Sequence, residues 1–97
     1  MVTRMIFITV TPEKVAEAER IWKNECGPLL MKQRGCMTHL FMRSRENPHK
    51  FVSLSHWATP QAIDEYAASA VREEIRNYAR GVLGDIQTQV EVFDVIG

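Results

Sequence analysis

The feature that most constrains the fold is a device used twice. An apolar, β-branched run stops at Thr-Pro and gives way to a helical pattern. In the first copy, VTRMIFITVT, residues 2–11, reads as a strand, and Thr11-Pro12-Glu13 opens a helix. In the second, KFVSLSHW, residues 50–57, leads into Thr59-Pro60. Threonine suits the cap, proline the first helical position and glutamate the positive helix end.

The helices follow from period. Val15, Ala18, Ile21 and Trp22 recur at helical spacing, which predicts a helix reaching Glu25 or Cys26. Gly27-Pro28 is expected to interrupt it, Leu29-Leu30-Met31 to form a further short turn, and Gly35 to end the segment. After Thr59-Pro60, one stripe holds Ala62, Ile63, Tyr66, Ala67 and Ala70. A second holds Val71, Ile75, Tyr78 and Val82, after a bend near Ser69, and Gly84 stops the helix. Tyr66 and Tyr78 are both assigned to the core on this pattern.

CMTHLFMRS, residues 36–44, is a second strand, Glu46-Asn47-Pro48-His49 a turn, and IQTQVEVFDVI, residues 86–96, a last strand. The order β-α-β-β-α-β predicts an α+β fold, the ferredoxin-like arrangement with a four-stranded antiparallel sheet, in one domain spanning residues 1–97. Helices cover one face of such a sheet. Here strands one and three are apolar on both faces, with Ile6, Ile8 and Val10 against Met5 and Phe7, and Val52 and Leu54 against Phe51 and Trp57. Two copies pressed face to face would cover the surplus, so a homodimer is expected.

Composition excludes several classes. Formal charge sums to zero, with both signs interspersed, which argues against a nucleic-acid partner. Cys26 and Cys36 form no C-x-x-C pair, no signal segment precedes them, and no zinc-ligand spacing exists, so a cytoplasmic protein without bound metal is expected. No apolar run is long enough to cross a bilayer, so no membrane partner is expected.

Several motifs together carry a family resemblance: the strand ending in Thr-Pro, the R-S-R-E-N-P hairpin tip at residues 43–48, and S-H-W-A-T-P-Q-A-I at residues 55–63. The chain resembles the antibiotic biosynthesis monooxygenase (ABM) domain family, within the dimeric α/β-barrel group, over nearly its whole length. That resemblance implies a homodimer in which two sheets pack into a barrel, with a pocket in each subunit between sheet and helices. It implies an oxidoreductase of the monooxygenase type, since several members oxidise phenols or hydroquinones with dioxygen and without metal or flavin. Others degrade haem or act on small signalling molecules. The haem-degrading branch places an Asn, a Trp and a His at positions held here by Ile6, Tyr66 and Arg76, and an arginine is no neutral nitrogen ligand for iron. Haem breakdown by that triad is not expected. The anthrone-oxidising branch shares the corner Trp57, but Ser53 replaces its Asn and Ile63 its Tyr, with Tyr66 one turn further on.

The hairpin supplies an independent reading. With Asn47 at its centre, residues equidistant from it lie opposite one another. His39 then opposes Ser55, Phe41 opposes Ser53 and Met37 opposes Trp57, all on one face. His39 is the candidate proton acceptor, because its ordinary pKa lies near working pH. Trp57, as a pocket wall, completes the candidate catalytic pair. Phe41 and Phe51 are candidates for holding an aromatic ring, and Ser53, Ser55 and Tyr66 for hydrogen bonds to its oxygen. The expected function is cofactor-independent oxidation of a small phenol, hydroquinone or anthrone-like substrate by dioxygen. Two alternatives stay open: a non-catalytic module for a small hydrophobic ligand, and an isomerase or lyase of a small metabolite. A pocket with several converging charges favours the last, and an apolar pocket the oxygenase.

Overall fold

The computed structural model describes all 97 residues. Four strands form one sheet: β1, Val2–Thr9; β2, Cys36–Arg43; β3, Lys50–Trp57; and β4, Gln87–Asp94. Their order is β2-β3-β1-β4, and every neighbouring pair is antiparallel. The fold is the expected α+β, ferredoxin-like arrangement. No helix is long and apolar enough to cross a membrane.

Strand period two sorts the sheet into faces. Ile8 from β1 and Val10 just beyond its end, with Phe51, Ser53, Ser55 and Trp57 from β3, are buried on the helix side. Met5 and Phe7, with Val52, Leu54 and His56, lie on the other side and are only half-buried. Leu40, Met42 and Phe93 join them there and are exposed. The second face is open in the single chain, and it carries the apolar surplus read from the sequence.

The first helical segment runs from a 3-10 turn, Pro12–Lys14, into α1, Val15–Ile21. Thr11 does not cap it through its side chain; the backbone carbonyl of Thr11 accepts from Lys14 N–H at 2.9 Å instead. Gly27-Pro28 does not interrupt the helix either. The chain widens into a π turn at Trp22–Cys26 and continues as α2, Gly27–Met31. Proline within an α-helix would meet the carbonyl four residues back. A wider turn moves that carbonyl away, and Gly27 N–H bonds to Trp22 O across the π spacing.

The second helical segment divides as expected near Ser69, into α3, Pro60–Ala67, and α4, Ala70–Leu83. Thr59 Oγ1 accepts from Ala62 N–H at 3.2 Å, a true side-chain cap. Ser69 Oγ donates to Tyr66 O at 2.7 Å and accepts from Arg72 N–H at 3.2 Å, so one hydroxyl serves both helix ends. The α4 stripe is rotated from the expected one: Ala79 and Leu83 are its buried residues, whereas Tyr78 is exposed, with its hydroxyl on Glu25. A polar tip with an acceptor at the surface outweighs burial of the ring.

The core has two parts. One joins Ile8, Val10, Ala18, Ile21, Trp22, Phe51 and Leu83. The other joins Val2, Leu30, Trp57, Ala62, Ile63 and Tyr66. Each large side chain withdrawn from water here contributes about 1.5–3 kcal/mol. Gly35 ties the second cluster to the chain turn before β2. Its φ is +84°, and a β-carbon there would stand 2.5 Å from the Ala62 β-carbon, so only glycine fits.

The β2–β3 register is the one read from the hairpin, with one exception. His39 pairs with Ser55 and Phe41 with Ser53, but Cys36, rather than Met37, faces Trp57. A β-bulge between Cys36 and Thr38 adds Met37 as an unpaired residue and turns it out to solvent, at 55% exposure.

Candidate functional site

The helix side of the sheet carries side chains in rows set by strand pairing. One row is His39, Ser55, Arg4 and Val92; the next is Phe41, Ser53, Ile6 and Val90. The polar members sit together at the centre. His39 Nε2 and Ser53 Oγ are 2.9 Å apart. Ser55 Oγ accepts from the Trp57 indole N–H at 2.8 Å and donates to Arg4 O at 3.5 Å. Ser53 and Ser55 are buried, so these bonds replace the water they lost.

Beside His39 lies a groove of about 810 Å³ between the α1–α2 run and β2. Trp22, Phe41 and Phe51 form an aromatic stack in its wall: Phe41 lies 5.2 Å from Trp22 and 4.9 Å from Phe51, with the rings inclined by 6° and 9°. Burial lowers the pKa of His39 below the ordinary histidine value, so the imidazole is neutral at neutral pH. With Nε2 on Ser53, Nδ1 faces Gly27, and a β-carbon at Gly27 would stand only 3.0 Å from it. The bare α-carbon leaves that nitrogen its space. When the Nε2 proton is donated to Ser53, Nδ1 is a free acceptor.

A second, smaller cavity of about 80 Å³ lies between β1, β4 and α4. Arg4, Ile6, Tyr66, Arg72 and Val90 line it, and Trp22 closes its other side, so Trp22 borders both spaces. The Arg4 guanidinium sits 5.4 Å from the Tyr66 ring centroid. Arg4 is 5% exposed and Tyr66 6%. Burial lowers the Arg4 pKa, with Arg72 adding to the effect and Tyr66 opposing it, yet guanidinium is basic enough to stay a cation. Burial raises the Tyr66 pKa, against the pull of Arg4 and Arg72, so the phenol stays protonated.

The sequence model of the family described as "Antibiotic biosynthesis monooxygenase" matches residues 1–82. The chain belongs to the antibiotic biosynthesis monooxygenase family. Among solved structures it is similar to SnoaB, a cofactor-independent oxygenase from Streptomyces nogalater, at 19% identity over 99% of this chain and 93% of that one, with a TM-score of 0.83. It is similar also to a conserved protein from Methanosarcina mazei Go1, at 25% identity over 96% and 91% of the two chains, with a TM-score of 0.71. No curated protein matches in sequence.

In this member of the antibiotic biosynthesis monooxygenase family, the residues singled out by sequence divide between the two spaces. His39, Phe41 and Phe51 line the groove, and Tyr66 the small cavity. Ser53 and Ser55 lie buried between them. Trp57 is fully buried, stacks at 5.2 Å on Tyr66 and borders neither space. Three residues escaped sequence reasoning: Trp22, which walls both spaces, Gly27 and Arg4. The lone charge of Arg4 inside VTRMIFITVT was the available signal. The positions compared with the haem-degrading branch, Ile6, Tyr66 and Arg76, converge on the small cavity and mark it too.

Proposed function

We propose that the protein is a cofactor-independent monooxygenase that oxidises a small electron-rich aromatic, such as a phenol, hydroquinone or anthrone, with dioxygen. It acts as a homodimer in the cytoplasm. Family membership and the fold shared with a cofactor-independent oxygenase support the reaction type. The observation that carries the reading is His39: a neutral imidazole with one nitrogen held by Ser53 and the other free, in a groove walled by stacked aromatic rings.

For a substrate with an activated methylene the reaction balances simply: methylene and dioxygen become carbonyl and water. One oxygen atom enters the product, and the other leaves with the two methylene hydrogens. His39 Nδ1 takes the proton whose loss makes the substrate an electron-rich anion. The anion gives one electron to dioxygen, the substrate radical and superoxide combine, and the resulting peroxide takes the proton back. Loss of water from the hydroperoxide leaves the carbonyl. Phe41 and Phe51, with Trp22, hold the ring. Ser53 holds the His39 ring in place through Nε2, and Trp57 acts through Ser55, whose position its N–H sets.

The test is oxygen uptake by the purified protein with a panel of hydroquinones and anthrones, under air and under argon. Turnover under air is expected, with His39→Ala slower by about 10²–10⁴-fold, the usual loss of a general base. No uptake with any member of the panel, or full turnover by His39→Ala, rejects the reading. A second reading, an isomerase or lyase of a small polar metabolite, is favoured by charge: arginines converge on the small cavity, and Glu19, Lys23, Arg43 and Arg45 line the groove beside the aromatic stack.

A further inference from the structure

Four arginines line the cavity under α4, namely Arg4, Arg72, Arg76 and Arg80, and no aspartate or glutamate does. Arg76 is partly neutralised by Glu73 at 3.0 Å on the outer surface. Neither Arg4, Arg72 nor Arg80 takes part in any of the chain's ion pairs. Arg4 is the telling one. The residue is only 5% exposed, and the one partner of its guanidinium in the chain is the face of Tyr66. The Tyr66 hydroxyl likewise has no partner in the chain, although the residue is 6% exposed. No buried side-chain nitrogen or oxygen sealed from solvent lacks a hydrogen bond. The free donors of Arg4 and Tyr66 therefore keep access, and the space they border is this cavity.

A buried charge without a counter-ion is costly and persists where something offsets it. A planar fork of donors beside a phenol hydroxyl matches a carboxylate, which takes two parallel N–H bonds and a third from O–H. We propose that this cavity is a binding site for the carboxylate of a small organic acid. Arg4 holds both oxygens, Tyr66 donates to one, and Arg72 adds charge from α4. The apolar lining of Ile6, Ile75 and Val90 receives the carbon next to the carboxylate. About 80 Å³ admits a carboxylate and a few attached atoms, not a polycyclic ring. The site goes beyond the oxygenase reading and does not rest on it.

The test is binding, with no turnover involved. Thermal unfolding is followed during titration with sodium acetate and sodium propionate. Acetamide and propionamide serve as uncharged matches, and sodium chloride at equal ionic strength as the control for screening. A saturable rise in Tm with the carboxylates alone is expected. Arg4→Met weakens the apparent affinity at least tenfold, and its own Tm without ligand is equal to or above that of the unsubstituted protein, because the unpaired charge is gone. Arg72→Gln, on a half-buried helix position, weakens binding about threefold or more. A response to carboxylates no larger than that to chloride overturns the proposal, and so does retained carboxylate affinity in Arg4→Met. If Arg4→Met fails to fold, Arg72→Gln decides: affinity unchanged there overturns the site.

Discussion

Exchanging Gly27 for alanine isolates the link between the π turn and His39. In an open helix, Gly→Ala stabilises by roughly 0.5–1 kcal/mol, because the unfolded chain loses freedom. Gly81, within α4, is that case, with nothing within 4 Å of where its β-carbon would stand. At Gly27 the added carbon would stand 2.7 Å from the Trp22 carbonyl oxygen and 3.0 Å from His39 Nδ1. The first is a backbone atom of the π turn and cannot simply rotate away. Overpacking of this kind costs about 1–3 kcal/mol. Subtracting the propensity gain leaves Gly27→Ala less stable by about 1 kcal/mol at mid-range, or some 4–8 °C in Tm for a domain of this size. Gly81→Ala should melt higher by about 2–8 °C. Calorimetry of both variants at one protein concentration gives the comparison, since an oligomer's Tm depends on concentration. Gly27→Ala melting at or above the unsubstituted protein would refute the reasoning, because the close approach to Trp22 O would then be harmless.

Other expectations are independent of that one. Burial lowers the His39 pKa, so over the same pH range the unfolded chain binds more protons than the folded one. The associated stability is complete above the unfolded value of about 6.5 and is lost as pH falls through the depressed folded value. Urea titrations across that window should show the loss, and His39→Gln should remove it; an unchanged pH slope in the variant would assign the effect elsewhere. Ser55→Ala leaves the buried Trp57 N–H without its acceptor and should cost about 1–3 kcal/mol in urea unfolding. A loss below about 0.5 kcal/mol would mean that the indole finds another partner. Leu40, 52% exposed on the open face, should lie inside the dimer, so Leu40→Asp should sediment as a monomer where the unsubstituted protein sediments as a dimer. An unsubstituted protein that is monomeric at micromolar concentration sinks the face-to-face pairing.

Local signals told most about the fold where they were repeated or symmetric. Two Thr-Pro starts marked two helices, and a hairpin symmetric about Asn47 fixed which side chains share a face. The His39–Ser53 contact follows from that symmetry, since Ser53 and Ser55, on either side of Leu54, share one face of β3, with Ser55 directly opposite His39. Parity along a strand tells the face but not the depth, so Trp57 read as a pocket wall although it is enclosed. The π turn left no trace in the spacing of Val15, Ala18, Ile21 and Trp22, because one extra residue per turn appears only after the last of them. Trp22 and Arg4 were missed for a related reason. Both matter through elements distant in sequence, β2 for one and α4 for the other, and no local pattern encodes that meeting.

Met37 sets the phase of β2. On its C-terminal side, odd-numbered residues point towards the helices; on its N-terminal side Cys36, an even one, does so. The extra residue thus lets the turn at Gly35 and the chemistry at His39 be adjusted separately. A chain lacking Met37 would present the same two faces in an unbroken ladder, one step nearer its turn. Length variation at this point costs the sheet little, whereas loss of Leu40, between His39 and the hairpin tip, would swing His39 to the opposite side.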